Sequence, residues 1–212
     1  MNRTILTFVF ACFALAMAAQ TDAIKVKYSG NKPTISDFAW AYLTHETASS
    51  TDDNCDAVNE PARAMKQAWI CYQKGTAQYK GVTLSVDQKN GFVVFESKQD
   101  DHILKVEMCY WNEADGKHKL FACNVQSFTT DGKPNPGQFD GLTFYRYTNA
   151  TKKMDYSFNM GYDTVLGDNA TGSEMLTFAL PRSGKNITAT IWPQKGKQRT
   201  VILKWNGHKF KK

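Results

Sequence analysis

The stretch HILKVEMCYWNEADGKHKLFACNVQSF, residues 102–128, decides how the chain is read. Residues 102–112 and 118–128 are rich in β-branched, aromatic and other apolar side chains, and Glu113-Ala114-Asp115-Gly116-Lys117 between them is turn chemistry. The pair therefore reads as an antiparallel hairpin. If Ala114 pairs with His118 across a three-residue loop, Cys109 faces Cys123, near the reach of a disulfide. Cys55 and Cys71 would then form the second bridge, joining a loop before a helix to the end of that helix. The alternative is four buried free thiols. No Cys-x-x-Cys pair occurs, which disfavours redox catalysis and a cysteine-ligated zinc.

Outward from this hairpin the same grammar continues. Strands are expected at 82–87, 91–97, 141–148, 153–160, 174–180, 185–192 and 199–205, with turn signals at Asn90-Gly91, Asp131-Gly132, Ser183-Gly184 and Asn206-Gly207. Short strands so punctuated argue for antiparallel pairing. Before them come two helices. Thr34-Ile35-Ser36-Asp37 places a carboxylate three residues after a capping hydroxyl, and Ile35, Phe38, Ala39, Tyr42 and Leu43 recur on one face. The second helix opens at Asn59 with Pro61 in its first turn, closes at Gly75, and carries Met65, Ala68, Trp69 and Tyr72 as its stripe. The fold class is α+β: two N-terminal helices against a large antiparallel β-sheet or partly closed barrel, with a lipocalin-like barrel as the rival architecture.

Residues 1–19 read as a signal peptide: Arg3, then an uncharged apolar run from Ile5 to Ala16, then Ala18 and Ala19 before Gln20. The run is too short to span a bilayer, which takes about 20 apolar residues. The expectation is a periplasmic or secreted, β-rich domain over 20–212 with a helical N-terminal part.

Charge is unevenly placed. From Met175 to Lys212 there is no Asp or Glu, while Arg182, Lys185, Lys195, Lys197, Arg199, Lys204, Lys209, Lys211 and Lys212 give that segment +9. The whole chain carries +6; without Arg3 it carries +5, so residues 20–174 carry −4. A hairpin of 185–192 and 199–205 would present these cations to an anionic polysaccharide, a lipid headgroup or an acidic protein. The competing explanation is that lysines merely protect an edge strand from pairing. Nucleic acid is a poor partner for an exported chain without a nucleic-acid motif. Aromatics form the other candidate surface: alternation puts Phe144 and Arg146 on one face and Tyr145 and Tyr147 on the other, and Trp192 lies on a later strand. The binding candidates are thus Arg182, Lys185, Lys195, Lys197, Arg199 and Lys204, with Tyr145, Tyr147 and Trp192.

No catalytic residue is assigned. His45, His102, His118 and His208 lack metal-ligand spacing, no nucleophile-elbow or phosphate-loop motif occurs, and no metal or cofactor is implied. Asp100-Asp101 reads as a solvated turn pair. Asn149, Asn169 and Asn186 sit in glycosylation sequons, and Asp163-Thr164-Val165 looks like a short O-glycosylation motif. Leu180-Pro181-Arg182-Ser183-Gly184-Lys185-Asn186-Ile187, followed by Leu203-Lys204-Trp205-Asn206-Gly207-His208-Lys209-Phe210, resembles uncharacterised exported proteins of gut-type Bacteroidota. The terminal Trp-Asn-Gly-x-x-Phe pattern is also similar to the last strand pair of some small periplasmic inhibitor-type β domains. These resemblances imply structure and no catalytic residue. The functional expectation is a non-catalytic binding module; the alternatives are a lipocalin-like small-molecule carrier and an enzyme whose site is assembled by the fold.

Overall fold

The computed structural model describes residues 23–48, 60–76, 78–98, 102–137, 139–158, 160–167, 170 and 174–212. The signal segment 1–19, Cys55, the Asn59 cap, Asp100-Asp101 and the Asn169 sequon lie outside the described residues.

After a short strand at Ile24–Lys25 come two helices, α1 (Ile35–Ala48) and α2 (Glu60–Gln73). At the start of α1 the Asp37 carboxylate accepts from both the backbone N–H and the hydroxyl of Thr34, each at 2.7 Å, fixing the first turn. Then α2 stops at Gly75, whose φ of 87° only glycine adopts without strain and whose N–H donates to Tyr72 O at 2.9 Å.

The strands build two antiparallel sheets. The larger, in order β1-β8-β7-β6-β5-β4-β3-β2, comprises β1 (Ile24–Lys25), β2 (Gln78–Tyr79), β3 (Val82–Asp87), β4 (Phe92–Lys98), β5 (His102–Asn112), β6 (His118–Thr129), β7 (Gly141–Thr148) and β8 (Lys153–Tyr156). The smaller, in order β12-β11-β10-β9, comprises β9 (Met175–Ala179), β10 (Ile187–Trp192), β11 (Arg199–Trp205) and β12 (Phe210–Lys211). A short helix α3 (Tyr162–Gly167) links them. Its presence shortens the strand expected to reach 160: Ser157 N donates to Phe144 O, and the chain then leaves the sheet so that Met160 O can accept from Phe210 N.

Both faces of the large sheet are covered, so the molecule has three layers. The helices pack Ile35, Phe38, Leu43, Met65 and Trp69 onto Phe95, Val106, Met108, Phe121 and Tyr147. Phe38 sits at the middle of that layer, with ring centroids 5.2 Å from Tyr110, 5.1 Å from Tyr147 and 5.9 Å from Phe121. On the other face Trp111, Leu120 and Phe144 meet Ile187, Leu203, Trp205 and Phe210 of the small sheet, with Val165 and Leu166 of α3. The sheets are open. The large one ends in the two-residue strands β1 and β2, which pair with β8 and β3 and not with each other, so neither the partly closed barrel nor the lipocalin-like barrel is formed.

The central hairpin differs from its expected register by one residue. Asn112 faces Lys119, and Glu113 N donates to His118 O at 3.1 Å, leaving a four-residue loop, Ala114–Lys117. One Asp115 carboxylate oxygen accepts from the N–H of Lys117 (2.8 Å) and of His118 (3.0 Å), and Gly116 takes φ 67°; that local bonding sets the longer loop. Because side chains alternate, one step of register sends a residue to the other face. Cys109 therefore faces Ala122 and belongs to the small-sheet core, while Cys123 faces Met108 and belongs to the helix-side core. The Cys109–Cys123 bridge is overturned: both are free, buried thiols. Burial pushes the Cys123 thiol up to about 12 and the Cys109 thiol well above its ordinary range. Of the other expected pair, Cys71 is half-buried near the end of α2.

Non-reducing peptide mapping will yield no Cys109–Cys123 cross-link, and neither thiol will react with a thiol reagent until the protein unfolds. Recovery of that cross-linked peptide would mean that β5 and β6 pair one residue out of the register described. Phe38→Ala, which empties the centre of the helix-side core, will cost about 3–5 kcal/mol in chemical denaturation.

Candidate binding surface

The small sheet reads its own alternation. Ile187, Ala189 and Ile191 of β10 and Leu203 and Trp205 of β11 point inward and are buried. Cross-strand register then places Thr188 and Thr190 of β10 beside Ile202 and Thr200 of β11, with Thr177 of β9 opposite Thr190 and Met175 opposite Trp192. The outward face is thus threonine-rich with three large apolar side chains, Met175, Trp192 and Ile202, and the small Ala179. Met175 is 43% and Ile202 40% exposed.

Polar side chains of the large sheet hold this layer in place. Glu107, Asn124 and Gln126 are buried on the face toward the small sheet, where an uncompensated polar group is costly. Each finds the backbone of β9 or its exit. Leu180 N donates to Glu107 Oε2 at 2.9 Å, and Asn124 Nδ2 donates to Phe178 O at 3.0 Å. With its carboxamide turned so that both ends are satisfied, Gln126 donates to Phe178 O at 2.8 Å and accepts from Phe178 N. Glu107 Oε1 pairs with Lys105 Nζ at 2.7 Å. Trp111 Nε1 donates to Lys185 O at 2.9 Å, anchoring the loop before β10.

The basic candidates divide into two groups. Arg182 and Arg199 are engaged within the fold. Arg182 Nε lies 3.0 Å from Asp87 Oδ2, and hydrogen bonds from Asn90, then from Arg182, lower the Asp87 carboxyl to about 2. Arg199 Nη2 donates to both oxygens of Glu174, at 2.9 and 3.0 Å, which ties the start of β11 to the start of β9. Lys185, Lys195, Lys197, Lys204 and Lys211 are exposed and, among the described residues, meet no carboxylate. Lys195 and Lys197 sit in the β10–β11 loop, and Lys204 lies directly across from Lys211.

The aromatic candidates separate. Tyr147 is fully buried beneath α1, its hydroxyl 3.4 Å from that of Tyr28. Tyr145 is half-buried on the same face, edge-on to Tyr42 (5.7 Å) and Tyr156 (5.6 Å). Both belong to the layer opposite the lysines, so they are core and not a binding platform; the physical reason is that neither face of the sheet was left bare. Trp192 alone joins the basic surface, half-exposed, with Nε1 donating to Thr177 Oγ1 at 2.9 Å. Sequence reasoning passed over Ile202, Met175 and the threonines, although strand alternation from the buried Leu203 and Ile191 places them.

Two other features carry less. Glu113, Asp115 and His118 bring ligand atoms within 4.8 Å of one another, but Arg146 occupies both Glu113 oxygens at 2.7 and 2.5 Å, and Asp115 holds the turn and pairs with His118 at 2.5 Å. A cleft of about 360 Å3 lies between α2 and the β2–β5 end of the large sheet, lined by Met65, Val82, Phe95 and Leu104 with Lys80 and His102 among its polar groups. No helix among the described residues is long and apolar enough to cross a membrane.

Glu107→Ala will destabilise the protein by about 1–3 kcal/mol, because Leu180 N–H and Lys105 lose their acceptor, and Glu107→Gln will cost less. Asp87, with its folded pKa depressed, stabilises the fold above its unfolded value near 3.8 and loses that contribution as pH falls toward about 2. A carboxyl NMR titration should therefore place its midpoint near 2, and Arg182→Ala should raise it. No protein-family model matches this chain, and no curated protein and no solved structure matches it.

Proposed function

We propose that this protein is an exported, non-catalytic binding module that captures an anionic partner through its basic C-terminal hairpin. The observation that carries the reading is the facing pair Lys204 and Lys211 on strands β9 to β12, whose own residues include no Asp or Glu. Like charges directly opposite on a sheet destabilise it, and here nothing inside the described chain offsets them. With Lys195 and Lys197 in the adjoining loop they form a positive field that an acidic polysaccharide, a lipid headgroup or an acidic protein would neutralise. Trp192 and the threonine hydroxyls supply stacking and hydrogen-bonding groups on the same face. Arg199 is a structural clamp in this reading and no longer a contact residue.

The test is binding to immobilised dextran sulfate and to poly-L-glutamate over a salt series. The triple variant Lys195→Glu, Lys197→Glu, Lys204→Glu should bind at least about tenfold more weakly, with a shallower salt dependence, since exposed charges act within a Debye length of about 10 Å at 0.1 M salt. Lys25→Glu with Lys27→Glu, exposed at the far edge of the large sheet, should change little. Equal losses in both variants, or none in the triple, would refute the assignment.

A further inference from the structure

Between α2 and the β2–β5 end of the large sheet the helix-side core gives way to the cleft of about 360 Å3, within the roughly 300–1,000 Å3 of small-molecule sites. Strand register builds its floor. Val82, Ser97 and Leu104 lie in one row across β3, β4 and β5, and Phe95 and Val106 face each other in the row behind. Alternation puts His102, two residues before Leu104, on the same face. Pro61, Ala64 and Met65 of α2 form the opposite wall. Ser97 is the smallest residue of its row and Ala64 of that wall, which leaves room between the two surfaces. A second hollow of about 280 Å3 adjoins the first, sharing Ala64, Lys80 and Val82 and adding Arg63 and Gln67.

Lys80 stands where the two hollows meet, on a strained backbone. With Gly81 it makes the two-residue turn from β2 to β3, at φ 45° and 80°. Such a turn prefers Asn or Gly at its first position, because other side chains are crowded at positive φ. Lysine there is a cost to the fold, and costs of this kind collect where a side chain is needed for function. Independently of the basic hairpin, we infer that the cleft binds a medium-chain fatty acid, its carboxylate beside Lys80 and Arg63 and its tail against Met65, Leu104 and Val106. Charge selects the head: among the described residues lining either hollow there is no Asp or Glu, so a cationic head would meet only like charge. Polarity selects the tail. Besides Lys80, the first hollow offers only the polar side chains of Ser97 and His102, too few to replace the water around a sugar or a peptide backbone.

The probe is sodium decanoate, below its micelle concentration, titrated into the full protein and followed by methyl NMR. It should bind saturably and shift the methyls of Met65, Val82, Leu104 and Val106. Octanoate should bind about tenfold more weakly, having two fewer methylenes to bury. Decyltrimethylammonium, with the same tail and the opposite charge, should bind at least about tenfold more weakly than decanoate. Lys80→Asn suits the turn, so it should leave thermal stability equal or higher while weakening decanoate about threefold or more. Ser97→Leu, which fills the floor, should abolish saturable binding in a chain that still folds. No saturable binding, shifts centred on other methyls, equal binding of the anionic and cationic probes, or unchanged decanoate affinity in both variants would overturn the site.

Discussion

Everything on the basic side of this molecule depends on a short polar row set into an apolar face. Glu107, Asn124 and Gln126 project from the two middle strands of the large sheet, in positions that hydrophobic side chains could have filled. Their partners are the backbone of Phe178 and Leu180. Purely apolar packing would let one sheet slide over another at modest cost, because dispersion and burial are non-directional. Directional bonds to named N–H and C=O groups fix where β9 lies. β10 and β11 follow from β9 by ladder pairing, and the lysines follow from β11.

The same row shows how a three-layer arrangement arises from an ordinary antiparallel hairpin. β5 and β6 carry bulky apolar residues on both faces, with Met108, Phe121 and Cys123 on one and Cys109, Trp111 and Leu120 on the other. Such strands need cover on both sides. The helices supply one cover and the C-terminal segment the other. This is why Tyr147 is buried beneath α1 and Phe144 is buried against Phe210.

The strand grammar of residues 82–205 and the two amphipathic helices were legible because periodicity and turn residues are local signals. β3, β5, β7 and β11 start and end where alternation and the turn residues put them. The cysteine pairing was not legible. It depends on whether a loop has three residues or four, and that is decided by one Asp115 carboxylate bonding two N–H groups. The two-residue strands and α3 escaped notice because segments so short have no period to read. In the candidate surface the cluster of cations was visible as composition. Which of them remain available was not, since Asp87 and Glu174 approach Arg182 and Arg199 only through the fold.

The order of the layers along the chain has a kinetic consequence. The helices and the whole large sheet precede Glu174, whereas the cover for Phe92, Trp111, Leu120 and Phe144 comes almost entirely from the last strands. A ribosome makes the protein in that order. Until synthesis nears its end, a wide aromatic surface has little beyond α3 to pack against, and nascent chains in that condition are the ones that aggregate or recruit chaperones. Chains that stop early, before β10 and β11, would keep that surface permanently bare.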